Sequence, residues 1–350
     1  MRLLCRYFKR LLLVIVICII GLLSPIAYVE TMCRGSGEPT PYTSLIAPDH
    51  HRTETRTLMT YPEWHIVHAY DDYGRVISSG DPHEFGFLRA IGGFWSSLCT
   101  LSADASSMGE VDGATKQMVY VIGVSFTAEL LLKAAYEETF GRLTAILRGT
   151  ERSPLDRLSA EQAVDYARFL QQVPWYKWKF TEDREALAAQ SSGVLRDHER
   201  RFALGIEYAA KAAYAGVIAD AVAQVGADAL TLRMIVRDMD RGDLETIDGV
   251  SIVTERPEGL EIETPRYRVL THILQDVALK GATFVEIAGN DDILFTAISE
   301  NASMAGAVFS RPRQGASDYR HLVVVKVDQL AERIRVMNAE GQQLEHIHDY

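Results

Sequence analysis

The sequence lacks the short motifs that mark the commonest enzymes. Its 350 residues contain no phosphate-binding GxxxxGK(S/T) loop, no GxGxxG, no HExxH, no CxxC and no EF-hand loop. Gly123-Val-Ser125-Phe-Thr127 lacks the second glycine of a nucleophile elbow, so Ser125 is predicted to be an ordinary helix residue. These absences lower the expectation of familiar chemistry and leave open whether the protein is an enzyme.

Cysteine is scarce, and basic residues are outnumbered. Four cysteines are too few for a disulfide scaffold. With 36 Lys and Arg against 47 Asp and Glu, the net charge is −11, which argues against a nucleic-acid partner. A hydrophobic fraction of 47% excludes a disordered chain, and the length allows roughly two domains.

One long uncharged apolar run is present, at Leu11–Val29. It is close to the ~20 residues that a helix needs to cross ~30 Å of hydrocarbon. Glu30 follows the run, and four cations precede it: Arg2, Arg6, Lys9 and Arg10. The positive-inside rule then keeps the N-terminus in the cytoplasm. We predict a basic tip and transmembrane anchor over residues 1–30, with the lipid bilayer around residues 11–29.

The charge is unevenly divided along the chain. Residues 1–34 hold five basic residues and one acid. Subtracting these from the totals of 36 and 47 leaves 31 and 46, a net charge of −15 for the body. A cleaved signal peptide is the competing interpretation, although a cut after Ala27 would place Pro25 where a small residue is needed. Both interpretations put the body on the periplasmic or extracytoplasmic side of a plasma (inner) membrane, unless a second span returns it.

A second span is an open alternative at Met118–Tyr136. Met118–Ala128 carries no charge and is followed by Glu129 and Lys133. In a second span Glu129 would be an intramembrane functional candidate. In a buried core helix of a soluble domain it would instead pair with Lys133 at the i,i+4 spacing.

The rest of the chain divides into three regions. Residues 31–60 are rich in Gly and Pro and are predicted to be a linker. Residues 61–228 are predicted to be mainly helical, with a capping box at 159–162. Residues 229–350 are predicted to form an α+β domain. The expected fold class is therefore α+β: an N-terminal transmembrane helix, a mainly helical middle region, and a C-terminal antiparallel sheet packed on one main helix.

Several local patterns support the α+β domain. Residues 265–278 form one clean apolar helix face, which Gly281 ends. Residues 289–292 predict a hairpin between strands at 284–288 and 293–298, and a further short strand is predicted at 334–337. No internal repeat is evident.

A histidine-rich segment at Tyr61–His68 is the first candidate site. His65 and His68 share a helix face, and Glu63 could complete a site for a divalent metal. In the alternative interpretation, Trp64 packs and the histidines cap or lie at the surface. His346 and His348 share a strand face, where fraying of the C-terminus is expected rather than metal binding.

An aromatic segment at 174–180 is the second candidate. Trp175, Tyr176 and Trp178 lie among lysines, as at a membrane interface or at a sugar or partner surface. The simpler interpretation is an aromatic strap over the helical core. Glu286 is a third binding candidate because it lies on an otherwise apolar strand.

The cysteines separate into two pairs by position. Cys33 and Cys99 would share an oxidising compartment, where they are candidates for a disulfide. Cys5 and Cys18 lie in or beside the membrane and would not join them.

Several motifs together resemble a group of uncharacterised bacterial membrane-anchored proteins. They are Tyr61-Pro-Glu-Trp64, Phe94-Trp95, Gly123-Val-Ser-Phe-Thr-Ala-Glu129, Tyr136-Glu137, Pro174-Trp-Tyr176 and Val285-Glu-Ile-Ala-Gly-Asn290. The resemblance covers most of residues 60–298. It implies a signal-anchored protein and carries no activity or catalytic residue with it.

The expected function is a non-enzymatic interaction or assembly component at the bacterial inner membrane, with a membrane protein as candidate partner. The alternative is a membrane-associated enzyme or a small-molecule or metal-binding protein that uses Glu63, His65 and His68. A divalent metal is the one cofactor that the sequence suggests, and the identity of any other is left open. A third option is a lipid-surface sensor that uses the aromatic segment at 174–180.

Overall fold

The computed structural model describes residues 2–40, 42–190, 193–225 and 229–350. Helix α1 (Arg2–Met32) opens the chain. Within its Lys9–Met32 stretch an 18-residue window has a mean hydropathy of 2.8, which is apolar enough to cross a membrane, and most of the apolar side chains of this stretch are exposed. The helices over Gly113–Arg148 and Leu195–Asp220 are also long and apolar enough to do so.

The C-terminal end of α1 is fastened to the body. Cys33 and Cys99 form a disulfide, so the pairing proposed from the sequence is confirmed. Three residues earlier, the Glu30 carboxylate accepts a hydrogen bond of 2.7 Å from the Tyr120 hydroxyl. Val29 is buried beside them. The chain that follows α1 is therefore attached to the body and is not a flexible linker.

Helices occupy the described residues from 56 to 225. They are α2 (Arg56–Met59), α3 (Tyr61–Ser79), α4 (Phe87–Asp104), α5 (Gly113–Tyr136), α6 (Arg142–Arg148), α7 (Pro154–Leu170), α8 (Phe180–Ala189) and α9 (Leu195–Val225). A π-turn at Glu137–Gly141 joins α5 to α6. Ser125 is an exposed residue of α5, as predicted.

Helix α7 begins earlier than its sequence pattern predicts. The predicted capping box at 159–162 lies inside the helix. The cap is Ser153, whose hydroxyl accepts a hydrogen bond from the Asp156 N–H, while the Asp156 carboxylate accepts one from the Ser153 N–H. Pro154 occupies the first helical position, which favours this start.

Close helix packing explains one glycine. A Cβ at Gly123 of α5 would lie 2.5 Å from the Phe94 ring of α4. The absent side chain therefore lets α4 and α5 approach closely. Gly123 therefore has a packing role, which agrees with the absence of a nucleophile-elbow pattern at residues 123–127.

The C-terminal domain contains two antiparallel four-stranded sheets. The first is formed by β1 (Thr231–Arg237), β2 (Ser251–Arg256), β3 (Gly259–Pro265) and β4 (Thr283–Ile287). The second is formed by β5 (Asp292–Ser299), β6 (Ala307–Pro312), β7 (Tyr319–Lys326) and β8 (Gln343–His348). The strand order is β2-β3-β1-β4 in the first sheet and β6-β7-β5-β8 in the second.

The two sheets belong to two copies of one type of structural unit. Helix α11 (Arg268–Leu279) connects β3 to β4, and α12 (Val327–Ala339) connects β7 to β8; the short α10 (Arg241–Glu245) follows β1. The unit βββαβ thus occurs twice with the same strand order, although the sequence shows no repeat. Both helices end on a glycine with positive φ, Gly281 and Gly341. Helix α12 packs on β4 and α11 packs on β8, so the two units share one apolar core.

The α+β fold class is confirmed, and two local predictions are wrong. Residues 289–292 do not close a hairpin: β4 pairs with β1, while β5 pairs with β7 and β8, so this turn carries the chain from one sheet to the other. Residues 334–337 lie in α12, because Leu330, Ile334 and Met337 continue a buried helical stripe. The domain therefore has two main helices where one was expected.

The segment predicted as a linker is packed on the body. The Thr57 hydroxyl donates to the His348 carbonyl at 2.6 Å and accepts from the Leu294 N–H at 2.9 Å. Further along, the Asp72 carboxylate of α3 accepts from the Gln314 N–H at 3.1 Å. These bonds hold the helical region against the second sheet.

Candidate functional site

Four buried histidines meet where α3 packs on the second sheet. This histidine cluster consists of His65 and His68 on α3 and His346 and His348 on β8. Trp64 stacks on His346, with ring centroids 3.4 Å apart. The Tyr61 ring lies edge-on to His348, at a centroid distance of 5.4 Å. The two C-terminal histidines are thus built into the core, and the expectation of a frayed terminus is wrong.

The end of the chain is held by a buried ion pair. Arg266 donates to both oxygens of the Asp349 carboxylate, at 2.8 and 3.1 Å, and to the Tyr350 carbonyl at 2.9 Å. These bonds satisfy charges that would otherwise be costly to bury. They fix the residues that follow β8 beside the segment between β3 and α11.

His65 is held in one tautomer. Its Nε2 lies 2.9 Å from the Ala90 carbonyl, and its Nδ1 lies 3.1 Å from the Arg311 guanidinium. Because arginine only donates, Nδ1 is the acceptor and Nε2 carries the proton. Both ring nitrogens of His65 therefore have protein partners.

The other three rings are less well satisfied. Among the described residues, no hydrogen-bond partner is found for Nε2 of His68, for Nε2 of His346 or for either ring nitrogen of His348. The His68 Nε2 lies 3.6 Å from Glu345, whose carboxylate takes a two-pronged ion pair from Arg320 at 2.6 and 2.7 Å. Buried imidazoles of this kind resist protonation.

The pKa values of the cluster follow from burial. Desolvation, helped by the nearby arginines, lowers the pKa of His65 and of His68 well below its usual range. Desolvation also lowers the pKa of His346, and it lowers that of His348 to about 3 despite the Glu345 carboxylate. The cluster is therefore neutral at neutral pH.

The predicted metal ligands lie on different sides of α3. His65 and His68 face the core, whereas the Glu63 side chain is exposed. In the described part of the chain, one group of three His, Cys, Asp or Glu side chains brings its ligand atoms within 4.8 Å of one another: Glu54, Asp291 and Asp292. In that group Lys326 already pairs with both aspartates, at 2.9 and 2.8 Å.

A second, half-buried polar cluster connects α5 to α9. Lys211 lies 2.9 Å from Glu129 and 3.0 Å from Glu207, and Lys133 lies 2.9 Å from Glu207. The Tyr70 hydroxyl donates to Glu129 at 2.6 Å. We call these two lysines and two glutamates the ion quartet. Glu129 is thus paired with Lys211 across helices, which the sequence could not indicate, as well as lying near Lys133.

A small cavity adjoins the ion quartet. Its volume is about 30 Å³, and Tyr70, Tyr166, Tyr208 and Trp178 contribute to its wall. A space of this size accommodates about two water molecules. In this conformation the cavity is therefore a water-sized packing space rather than a pocket for an organic substrate.

The aromatic segment at 174–180 packs on the helical core. Trp175–Lys177 is a single 3-10 turn and not an extended strand. The Trp178 ring lies against Tyr166 and Phe169, and its indole N–H donates to Asp183 at 2.6 Å. Trp175 contacts Tyr214 of α9, and Tyr176 lies beside Trp175. These side chains are partly buried, which agrees with the interpretation of the segment as an aromatic strap over the helical core.

Glu286 binds the segment that follows α1. Its carboxylate accepts hydrogen bonds from the Tyr42 and Ser44 hydroxyls, at 2.9 and 3.1 Å. It also accepts from the backbone N–H groups of Leu45 and Ile46, at 2.7 and 3.0 Å. All four bonds are internal, so Glu286 is a structural clasp in this conformation.

The sequence did not identify three residues that form ion pairs across helices, which are Lys211, Glu207 and Arg200. Lys211 and Glu207 are spaced i,i+4, but the sequence does not show which helix they face. Arg200, which pairs with Glu137 at 2.9 Å, is similarly hidden in a long helix. No sequence signal identifies such cross-helix partners.

Known proteins offer no further guide. Comparison with protein families, with curated proteins and with solved structures finds no match for this chain. The resemblance to membrane-anchored bacterial proteins thus stays an expectation. What the residues can do follows from their geometry: closed polar clusters inside, and an anchor fixed to the body.

Proposed function

We propose that the protein is a non-enzymatic interaction or assembly component anchored in the bacterial inner membrane. The observation that carries this proposal is the Cys33–Cys99 disulfide at the outer end of α1. It fixes the body directly to the membrane helix instead of leaving it on a long linker. A rigid link of this kind suits a protein that must present a surface at a defined height above the lipid.

The interior argues in the same direction. Glu129 is neutralised by lysines, Glu286 is occupied by four donors, and the cavity beside the ion quartet has room for water alone. Catalysis requires charged or nucleophilic groups that a substrate can reach. The polar clusters described above are closed in this conformation, so their first role is to hold the fold.

The membrane and the orientation are part of the proposal. Four cations precede the apolar part of α1, which favours a cytoplasmic N-terminus. A disulfide just beyond the other end favours an oxidising compartment for the body. We therefore treat α1 as a signal-anchor and residues 31–350 as an extracytoplasmic region.

Reporter fusions test the orientation. Alkaline phosphatase fused after Tyr350 should be active and green fluorescent protein at the same place should be dark, because phosphatase needs an oxidising compartment. The matched control replaces Arg2, Arg6, Lys9 and Arg10 with Ser, which should weaken the bias. A fluorescent, phosphatase-inactive C-terminus would contradict the orientation.

Chemical crosslinking in membranes tests the interaction. The full chain should be recovered in mild detergent with a stable membrane-protein partner. The pair of changes Cys33→Ser and Cys99→Ser should lower that recovery while leaving the protein in the membrane fraction. Recovery of the full chain alone, at native expression and after crosslinking, would count against an assembly role.

The second candidate is a metal-dependent function at the predicted site of Glu63, His65 and His68. In this conformation only His68 of that set has a free ring nitrogen, because Glu63 lies on the other side of α3 and His65 is hydrogen-bonded at both nitrogens. The observation in its favour is the set of unsatisfied imidazole nitrogens nearby. Elemental analysis of the purified full chain distinguishes it from an assembly role. One equivalent of zinc that is lost in His68→Gln, with folding unchanged, would replace our proposal with this one.

A further inference from the structure

Helices α5, α6 and α9 form an antiparallel outer layer. Lys133 pairs with Glu207, Glu137 pairs with Arg200, and the Gly141 carbonyl accepts from Arg196 at 2.9 Å. Residue numbers fall along α9 as they rise along α5 and α6, so the helices run in opposite directions. The buried charges lie along the seam between them.

The inner sides of α5 and α9 pack on the helices beneath them. Phe126 and Leu130 of α5 enter the core with α3 and α4, and Leu204 and Tyr208 of α9 enter the core with α7 and α8. The outer sides therefore point away from the body. Large apolar residues concentrate on those outer sides, and we call this set the apolar face: Met118, Val121, Leu132, Phe140, Leu143, Ile146, Leu147, Phe202, Ile206 and Val217.

The apolar face is unusually exposed for a soluble surface. Leu132 is 74% exposed, Phe140 is 65% exposed and Phe202 is 64% exposed. Contiguous apolar patches of this kind mark contacts with a partner or a membrane. The exposed ion pair on the layer, Arg142 with Glu138 at 3.2 Å, is internally neutral, so the face carries little charge of its own.

The packing argues against a passage of α5 or α9 through the bilayer. Helix α7 packs along α3 and α9, and α3 also packs on α5. A passage would carry the charged side chains of α7 and α3, such as Asp72, Arg75 and Asp165, into the hydrocarbon. That is costly, whereas an in-plane contact leaves these charges in the body.

The apolar face begins where α1 ends. Tyr120 holds Glu30, at the outer end of α1, and Met118 and Val121 are its neighbours on α5. The Cys33–Cys99 disulfide fixes this junction. The face thus begins beside the end of α1, which is the most apolar of the three candidate spans in the described residues.

We propose that the apolar face lies in the plane of the bilayer that α1 spans, so that the body makes an in-plane lipid contact in addition to its anchor. This inference rests on the anchoring part of the proposed function. The contact is apolar, and the body is acidic, so neutral lipid should suffice. An in-plane contact would also set the orientation of the surface that the protein presents to its partner.

Depth-dependent quenching tests the contact in the full chain. With Cys5→Ser and Cys18→Ser as background, a single nitrobenzoxadiazole label is placed at Leu132→Cys or Phe202→Cys. Glu332→Cys on α12, whose side chain is 68% exposed, is the matched control, and Leu13→Cys reports the anchor. The protein is reconstituted, one copy per disc, in phosphatidylcholine nanodiscs with or without acyl-chain spin labels.

We expect strong quenching by spin-labelled lipid at 132 and 202, comparable with that at 13, and none at 332. Quenching at 13 without quenching at 132 and 202 would overturn the in-plane contact and leave the anchor intact. A blue shift at 132 and 202 that appears only with two copies per disc, without quenching, would assign the face to a second copy and also overturn it. No quenching at 13 would instead overturn the anchor itself.

Discussion

The indole of Trp64 lies stacked on the imidazole of His346, with an interplanar angle of 26°. One ring belongs to α3 of the helical region and the other to the last strand of the C-terminal domain. Residues nearly 300 positions apart thus form the centre of the interface between the two regions. Around this pair the other buried histidines make the interface sensitive to protonation.

Acid should destabilise the protein in the range where unfolded histidines titrate. The four clustered histidines have pKa values below ~6.5 in the folded state, so below that pH the unfolded chain binds protons that the folded chain does not. Stability is complete above pH ~6.5 and falls as the pH decreases. Each histidine costs about 1.4 kcal/mol at pH 5.5. Thermal unfolding in detergent at pH 7.5, 6.5 and 5.5 measures the effect.

The control variants separate this effect from other titrations. His348→Gln should flatten the pH dependence, while the exposed His198→Gln should leave it unchanged. Glu54 acts in the opposite direction, because burial raises its pKa to about 7, so the folded state gains a proton there as the pH falls. A melting temperature that is constant from pH 7.5 to 5.5 in the wild type would refute the prediction.

Loss of the disulfide should destabilise the helical region. Cys33 and Cys99 are separated by 66 positions, and closing a loop of that length is expected to contribute about 4 kcal/mol. Cys33→Ser with Cys99→Ser should lower the melting temperature. Dithiothreitol should lower that of the wild type and have no further effect on the variant. Cys18→Ser is the control, and a wild type that is alkylated at Cys33 without reduction would contradict the bond.

Glu286→Gln should release the segment at residues 42–46. The carboxylate accepts four hydrogen bonds, and an amide would present its own donors to some of these N–H and O–H groups. We expect a loss of about 2 to 4 kcal/mol and faster amide hydrogen exchange at Leu45 and Ile46. The exposed Glu300→Gln is the control. Unchanged exchange at those amides would show that Glu286 is not the clasp.

The ion quartet should show strong coupling between Glu129 and Lys211. Removing one partner leaves a half-buried charge without its counter-ion, so Glu129→Gln or Lys211→Met alone should each cost about 1 to 3 kcal/mol. The double variant keeps one lysine and one glutamate and should cost less than the sum of the two. A double-mutant cycle of unfolding free energies measures this, and additive costs would show that the pair does not interact.

The secondary structure was largely readable from local pattern. The apolar run predicts α1 because a helix is the only way for such a segment to satisfy its backbone in lipid. The apolar stripe at residues 269–278 predicts α11 in the same way. The prediction failed for residues 289–292 because a turn signal does not specify which strands it separates. It failed for residues 334–337 because a short apolar run fits either a helix or a strand.

The sequence by itself determined the acidic body, the membrane-spanning length of α1 and the α+β class, because these depend on composition and on periodicity along the chain. Only the tertiary structure decided that Cys33 meets Cys99, that His346 lies under Trp64 and that Glu129 pairs with Lys211. It also decided that Leu132 and Phe202 lie on the outer side of the same helical layer. Such relationships depend on how distant segments pack, and the free energy that selects them belongs to the whole core rather than to any local stretch.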